Sequence, residues 1–149
     1  RWSQVMTNGL LDARDWPSVM TIVVPSSPVP SNPSLATLRA VFASFNIVAG
    51  LPRARKIIHL DGPQAILSHG RKRDYAEFIR RVHSAVAGAN GSVDRQSGAM
   101  HFSSVFVRTA VYEADTFLFA AHNLAAAVHK VETPFMLITQ HDFILAPPL

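Results

Sequence analysis

The 149-residue chain contains no cysteine. Disulfides, thiolate zinc sites, iron–sulfur ligation and cysteine nucleophiles are therefore excluded. The compartment is left open, because a chain in any compartment can simply lack cysteine. Charge is also scarce: Asp, Glu, Lys and Arg make up 16% of the residues, against about 25% in an ordinary domain. No apolar run approaches the ~18–20 residues that a membrane span requires. The first residues show no basic stretch followed by an apolar core, so no secretory signal is visible. The segment from Pro25 to Pro33 has no glycine, so neither a Walker A loop nor a G-x-G-x-x-G dinucleotide loop is present there. The histidines form no H-E-x-x-H pair, and no G-x-S-x-G elbow supports Ser-His-Asp hydrolysis.

What the chain has is apolar mass. Hydrophobic residues account for 48%, which rules out a disordered tail. A single domain of this length buries roughly 70% of its unfolded surface and needs no covalent staple. The low charge, the Arg at position 1 and the apolar approach to Pro147-Pro148-Leu149 lead us to expect part of a larger protein. Net charge is +4, and the cations cluster. Eight of the fourteen are Arg53, Arg55, Lys56, Arg71, Lys72, Arg73, Arg80 and Arg81. The first reading of this cluster is a solvated helix face. Attraction for an anionic ligand or a membrane surface is the alternative. Nucleic acid is not expected as a partner, because no stacking aromatics are interleaved with the cations.

Residues 1–18 have no clear period and read as a lead-in to a domain spanning 19–149. Val19 to Val24 is a β-branched run that reads as a buried strand stopping at Pro25. Pro25 to Pro33 reads as a loop, because proline has no N–H for the ladder. Asn32-Pro33 then opens a helix whose apolar face is Leu35, Leu38, Val41, Phe42 and Phe45, ended by Gly50 and Pro52. Lys56 to Leu60 is a second strand, stopped by Asp61-Gly62-Pro63. Tyr75, Phe78, Ile79, Val82 and Val86 have clean helical spacing, and Gly88 to Gly91 stops that helix. Ser92 to Gly98 reads as polar loop. A third strand is expected over 101–107. Phe117, Ala121, Leu124, Val128 and Val131 mark another helix, with Asp115 or Thr116 as its cap and Pro134 as its end. Phe135 to Thr139 is a fourth strand.

Strands and helices that alternate in this way predict an α/β fold in three layers, a mostly parallel sheet with helices on both faces. Such sheets bind ligands at the carboxyl ends of their strands. That rule selects Pro25, Ser26 and Ser27 after the first strand, Asp61 after the second, and Gln140, His141 and Asp142 after the fourth. A carboxylate at the end of the second strand can accept ribose hydroxyls, although Asp-Gly is also a common turn. Asp142 is the residue there that suits a hard divalent cation, with His141 as a further ligand or a phosphate contact. The serines offer hydroxyl donors near a helix start.

The order and spacing of these segments resemble the N-terminal, nucleotide-binding half of a GT-A-type glycosyltransferase, most closely the family-2-like enzymes. The matching segments are Thr21-Ile22-Val23-Val24-Pro25-Ser26, Ile57-Ile58-His59-Leu60-Asp61-Gly62 and Met136-Leu137-Ile138-Thr139-Gln140-His141-Asp142. Asn123 and the alanines at 125–127 sit where that family has an Asn/Ala-rich helix. The resemblance covers roughly residues 19 to 145. It implies a nucleotide-sugar donor, transfer of the sugar to an acceptor the sequence does not name, and a divalent cation, Mn²⁺ or Mg²⁺. By the resemblance, Pro25, Ser26, Ser27, Asp61, Gln140 and His141 touch the nucleotide and Asp142 holds the metal. Gln140-His141-Asp142 keeps only the last acidic residue of the family's Asp-x-Asp. Family members place their catalytic base downstream of this motif, and Leu149 comes before any such residue. A non-catalytic binding module descended from such a fold and a nucleotidylyltransferase are the alternatives. The latter wants a Gly/Arg/Lys-rich first loop that this chain lacks.

Overall fold

The computed structural model describes residues 15–91 and 104–146. Four strands, β1 (Met20–Ser26), β2 (Arg55–Leu60), β3 (Thr109–Glu113) and β4 (Phe135–Ile138), form one sheet in the order β3-β2-β1-β4. All three pairings are parallel. The connections carry helices, α2 (Ala36–Ser44), α3 (His69–Gly91) and α4 (Phe119–Val128), after a single helical turn α1 (Trp16–Val19). The fold is the expected α/β sheet flanked by helices. Its strand order is that of the first four strands of a doubly wound, Rossmann-like sheet.

Alternation along the strands separates the two faces of the sheet. Ile22 and Val24 of β1 and Ile58 and Leu60 of β2 pack with Leu38, Val41 and Phe42 of α2 and Tyr75, Phe78, Val82 and Val86 of α3. The chain steps from β1 to β2 to β3 in one direction, so right-handed crossovers put α2 and α3 on the same face. The step from β3 back across to β4 reverses direction and puts α4 on the other face. There α4 packs on β1 and β2, with Asn123 and Ala127 buried.

Several boundaries differ from those read from the sequence. The first strand runs from Met20 through Pro25 to Ser26. Pro25 is tolerated because β4 pairs β1 only as far as Val23. Val24 and Ser26 address β2, so the missing N–H of Pro25 points to the side where no ladder remains. The helix does not open at Asn32-Pro33. That bond is cis, it lies in a turn in which Asn32 Oδ1 accepts the Val29 N–H at 2.9 Å, and α2 begins at Ala36. Gly88 does not end α3, which continues to Gly91. Its predicted apolar face is the buried one: Tyr75, Phe78, Val82, Val86 and also Ala89.

The third strand is Thr109–Glu113, not 101–107. Residues 105–108 form a turn that sends Phe106 into the core, 5.0 Å from the Phe42 ring. Phe102 and the polar loop at 92–98 lie outside the described residues. On α4 the predicted face is not the buried one. Burial falls on Asn123 and Ala127, and neither Asp115 nor Thr116 caps the helix. The fourth strand is an edge, and Phe135, Met136 and Ile138 are 50%, 46% and 42% exposed.

The end of the predicted lead-in belongs to the packed structure. Trp16 lies against the core and covers Gly50, whose φ is +86°. A Cβ on Gly50 would fall 2.0 Å from the indole nitrogen. Glycine thus serves this position twice, by allowing the left-handed backbone and by leaving room for the ring.

Candidate functional site

The direction of the chain reverses at β1. The sheet's switch point therefore lies between the carboxyl ends of β1 and β4, where doubly wound sheets open a crevice. The register Val23↔Ile138 puts Pro25, Ser26 and Ser27 at one side of that point and Gln140, His141 and Asp142 at the other. The sequence-predicted residues of the first and fourth strands therefore leave the sheet at the same edge. Pro25 and Ser27 are half-buried, Ser26 is buried, and Gln140 and Asp142 are exposed with His141 half-buried between them.

A turn fixes the segment after β4. Thr139 N–H donates to Val23 O at 3.0 Å and extends the ladder by one bond, and Phe143 N–H closes onto Gln140 O at 3.2 Å. The chain then reaches the end of α2, where Leu145 N–H donates to Ser44 Oγ at 3.1 Å. Among the described residues no hydrogen bond joins Gln140, His141 or Asp142 to Ser26, Ser27 or Asp61.

Asp61 sits one strand further in, beside β1 rather than β4. Its N–H donates to Ser26 O at 2.8 Å, and only 1% of the residue is exposed. Oδ1 accepts two backbone amides, Gly62 N–H at 2.9 Å and Leu118 N–H at 2.6 Å. One carboxylate oxygen thus fixes both its own turn and the residue preceding α4. The turn is close-fitting: a Cβ on Gly62 would lie 2.2 Å from the Thr116 carbonyl carbon. Asp61 O in turn accepts the Tyr75 hydroxyl at 2.6 Å. Burial, with the Asp61 and Glu113 carboxylates nearby, holds the Tyr75 phenol above its ordinary range, so it remains a donor.

Two buried polar atoms at this edge have no partner, Asp61 Oδ2 and Ser26 Oγ. They belong to residues joined by a backbone hydrogen bond. Buried polar groups in folded proteins are nearly always satisfied, and exceptions concentrate where a ligand or water completes the set.

A second polar group supports the same edge from the α4 side. Asn123 Nδ2 donates to Ser26 O and His59 O, both at 3.3 Å, and Asn123 Oδ1 lies 2.5 Å from His59 Nδ1. Asn123 and His59 are 2% and 4% exposed. Neither residue belongs to a catalytic motif that the sequence displays. The available signal was a polar side chain inside an apolar pattern: His59 within Ile57-Ile58-His59-Leu60, and Asn123 on an alanine-rich helix.

No group of three or more His, Asp or Glu side chains able to hold a metal occurs among the described residues. Asp142 is the single carboxylate of its turn. A lone carboxylate such as Asp142 suits a cation whose other ligands come from substrate phosphates. No helix among the described residues is long and apolar enough to cross a membrane. Comparison with protein-family models, curated proteins and solved structures gives no match.

Proposed function

We propose that this domain binds a nucleoside-diphosphate sugar across the β1–β4 switch point, as the nucleotide-binding part of a glycosyltransferase-type enzyme. The observation that carries this reading is the β3-β2-β1-β4 parallel order, which puts Ser27 and Asp142 on either side of the switch point, with the unpartnered Asp61 Oδ2 and Ser26 Oγ buried behind it. In such sheets a carboxylate at the end of β2 meets the nucleoside. Phosphates belong at the loop after β1, where Ser27 offers a donor. Asp142 faces the diphosphate from the other side of the crevice. A divalent cation arriving with the diphosphate would find Asp142 as its protein carboxylate and would offset phosphate charge. The acceptor enters separately, and none of the described side chains is assigned to activating it.

A second reading, a binding module that uses no cation, is favoured by Gln140, which brings no charge where a second carboxylate would sit. Calorimetric titration of UDP and GDP, with and without Mn²⁺, separates the two. Binding that requires Mn²⁺ and weakens about tenfold or more in Asp142→Ala, the loss of one charge-assisted contact, is the expected result. Nucleotide binding indifferent to Mn²⁺ and to Asp142 establishes the cation-free module. No binding of either nucleotide refutes both.

A further inference from the structure

The basic cluster at 71–81 is divided by the fold. Arg80 and Arg81 turn toward the start of α2, where they line a cavity of about 580 Å³ together with Arg39, Ser31, Ser34 and Ser84. Arg71, Lys72 and Arg73 do not line it. Glu77 orders the two arginines. Arg80 donates Nε and Nη2 to it at 2.7 and 2.8 Å, and Arg81 donates Nε at 2.7 Å. These two guanidiniums hold the Glu77 carboxyl down at about 2, so it stays ionised and holds them in place across the physiological range. Arg39, Arg80 and Arg81 line the cavity, while Glu77, which pairs with two of them, is not among its lining residues. Arg81 Nη1 also donates to Pro33 O at 3.4 Å. Each arginine has five N–H donors in a fixed fork, and those of Arg80 and Arg81 not spent on Glu77 or Pro33 remain for a ligand.

The backbone adds to this field. The first turn of α2 contains no acidic residue, and Leu35 before it supplies no side-chain cap. The positive end of that helix therefore borders the cavity with no carboxylate in its own first turn, although Ser34 Oγ accepts the Ala36 N–H at 3.2 Å. The cavity also continues. A second hollow of about 500 Å³ shares Arg39, Ser84 and Ala85 with it and runs between α3 and the 104–106 turn over Gly88, Ala89 and Val105. A Cβ built on Gly88 meets nothing within 4 Å among the described residues.

We propose that the α2–α3 groove is an anion-binding site for a phosphate monoester, with Arg39, Arg80 and Arg81 on the phosphate and the Ala85–Ala89 hollow under its organic part. Planar guanidinium forks match phosphate oxygens two at a time, and serine hydroxyls supply further donors. The groove involves none of the residues at the β1–β4 edge, so it stands whether or not that edge binds a nucleotide.

The test uses phenyl phosphate, inorganic phosphate and phosphatidylglycerol vesicles at low salt, with binding of the two soluble probes followed by NMR titration. Phenyl phosphate binds saturably and more tightly than inorganic phosphate. Arg39→Gln and Arg81→Gln each weaken it about tenfold, the loss of one charge-assisted contact. Arg71→Gln removes the same charge outside the groove and changes the affinity less than about twofold, since screening mutes distant charges. These exposed substitutions leave the thermal transition unchanged, which secures the comparison. Equal weakening in all three variants, absence of saturation, or co-sedimentation with vesicles without phenyl phosphate binding overturns the proposal. The last outcome identifies a lipid-facing patch instead.

Discussion

Replacing Asp61 by alanine removes the acceptor for two amides, the buried Gly62 N–H and the part-buried Leu118 N–H. Each amide left without a partner costs about 1–3 kcal/mol, so Asp61→Ala is expected to lose about 2–5 kcal/mol. That is a large share of the ~5–15 kcal/mol that stabilises a typical domain. Asp61→Asn behaves differently. It keeps an oxygen at the Oδ1 position for both amides and replaces Oδ2, which has no partner, by a neutral amide nitrogen. Burying an uncompensated charge is unfavourable, so removing it offsets the weaker acceptor, and Asn is expected within about 1 kcal/mol of the native protein. Urea denaturation followed by circular dichroism measures both values. Thermal melting should show a drop of roughly 5–15 °C for Ala, at a few degrees per kcal/mol for a chain of this size. If Ala loses less than about 1 kcal/mol, Oδ1 does not satisfy the amides as argued. If Asn is as damaging as Ala, the ionised carboxylate itself is required, and the reasoning about the spare oxygen fails.

Two further outcomes follow from the same packing. Gly62→Ala pushes a methyl to 2.2 Å from the Thr116 carbonyl carbon, and moving that backbone costs about 1–3 kcal/mol. Gly70→Ala, where a Cβ meets nothing within 4 Å, is neutral or slightly stabilising, so a urea series on the pair isolates the contact. Lys56 provides a pH signature. Its ammonium donates to Pro52 O, Ala54 O and Val107 O, while burial and then the Arg108 charge lower its pKa from 10.5 to about 8. Between these values the unfolded chain binds more protons than the folded one, so stability rises with pH. The gain from pH 8 to pH 10 is about 2 kcal/mol. It reverses above that, where unfolded tyrosine ionises and Tyr75, its folded pKa raised, does not. Urea midpoints at pH 8, 9 and 10 in the native protein and in Lys56→Met check this, and a flat native profile contradicts it.

The fold class was legible because period is a local property. Ile22 to Val24, Ile57 to Leu60 and Tyr75 to Val86 carry their patterns within one element, and each was recognised as what it is. Boundaries were less legible where a neighbour decides them. Pro25 stays in β1 because β4 has already ended on that side. Pro33 precedes a helix that starts at Ala36, after a turn that Asn32 closes. The third strand begins at Thr109 rather than in the apolar stretch of Phe102, Val105, Phe106 and Val107. Apolarity marks burial, and Phe106 is buried from a turn.

What the sequence determined by itself is the alternation of strands and helices, the parallel sheet that alternation implies, and the short segments that end its strands. Tertiary structure alone decided what those segments face. Strand order put Ser27 and Asp142 on either side of the switch point and set Asp61 one strand away. It made Asp61 the acceptor for two amides 56 residues apart in the chain, Gly62 and Leu118. Pairing across the sheet brought His59 and Asn123 together, and crossover handedness brought Arg39 to Arg80 and Arg81. These relations depend on distances between residues remote in sequence, which no local pattern encodes.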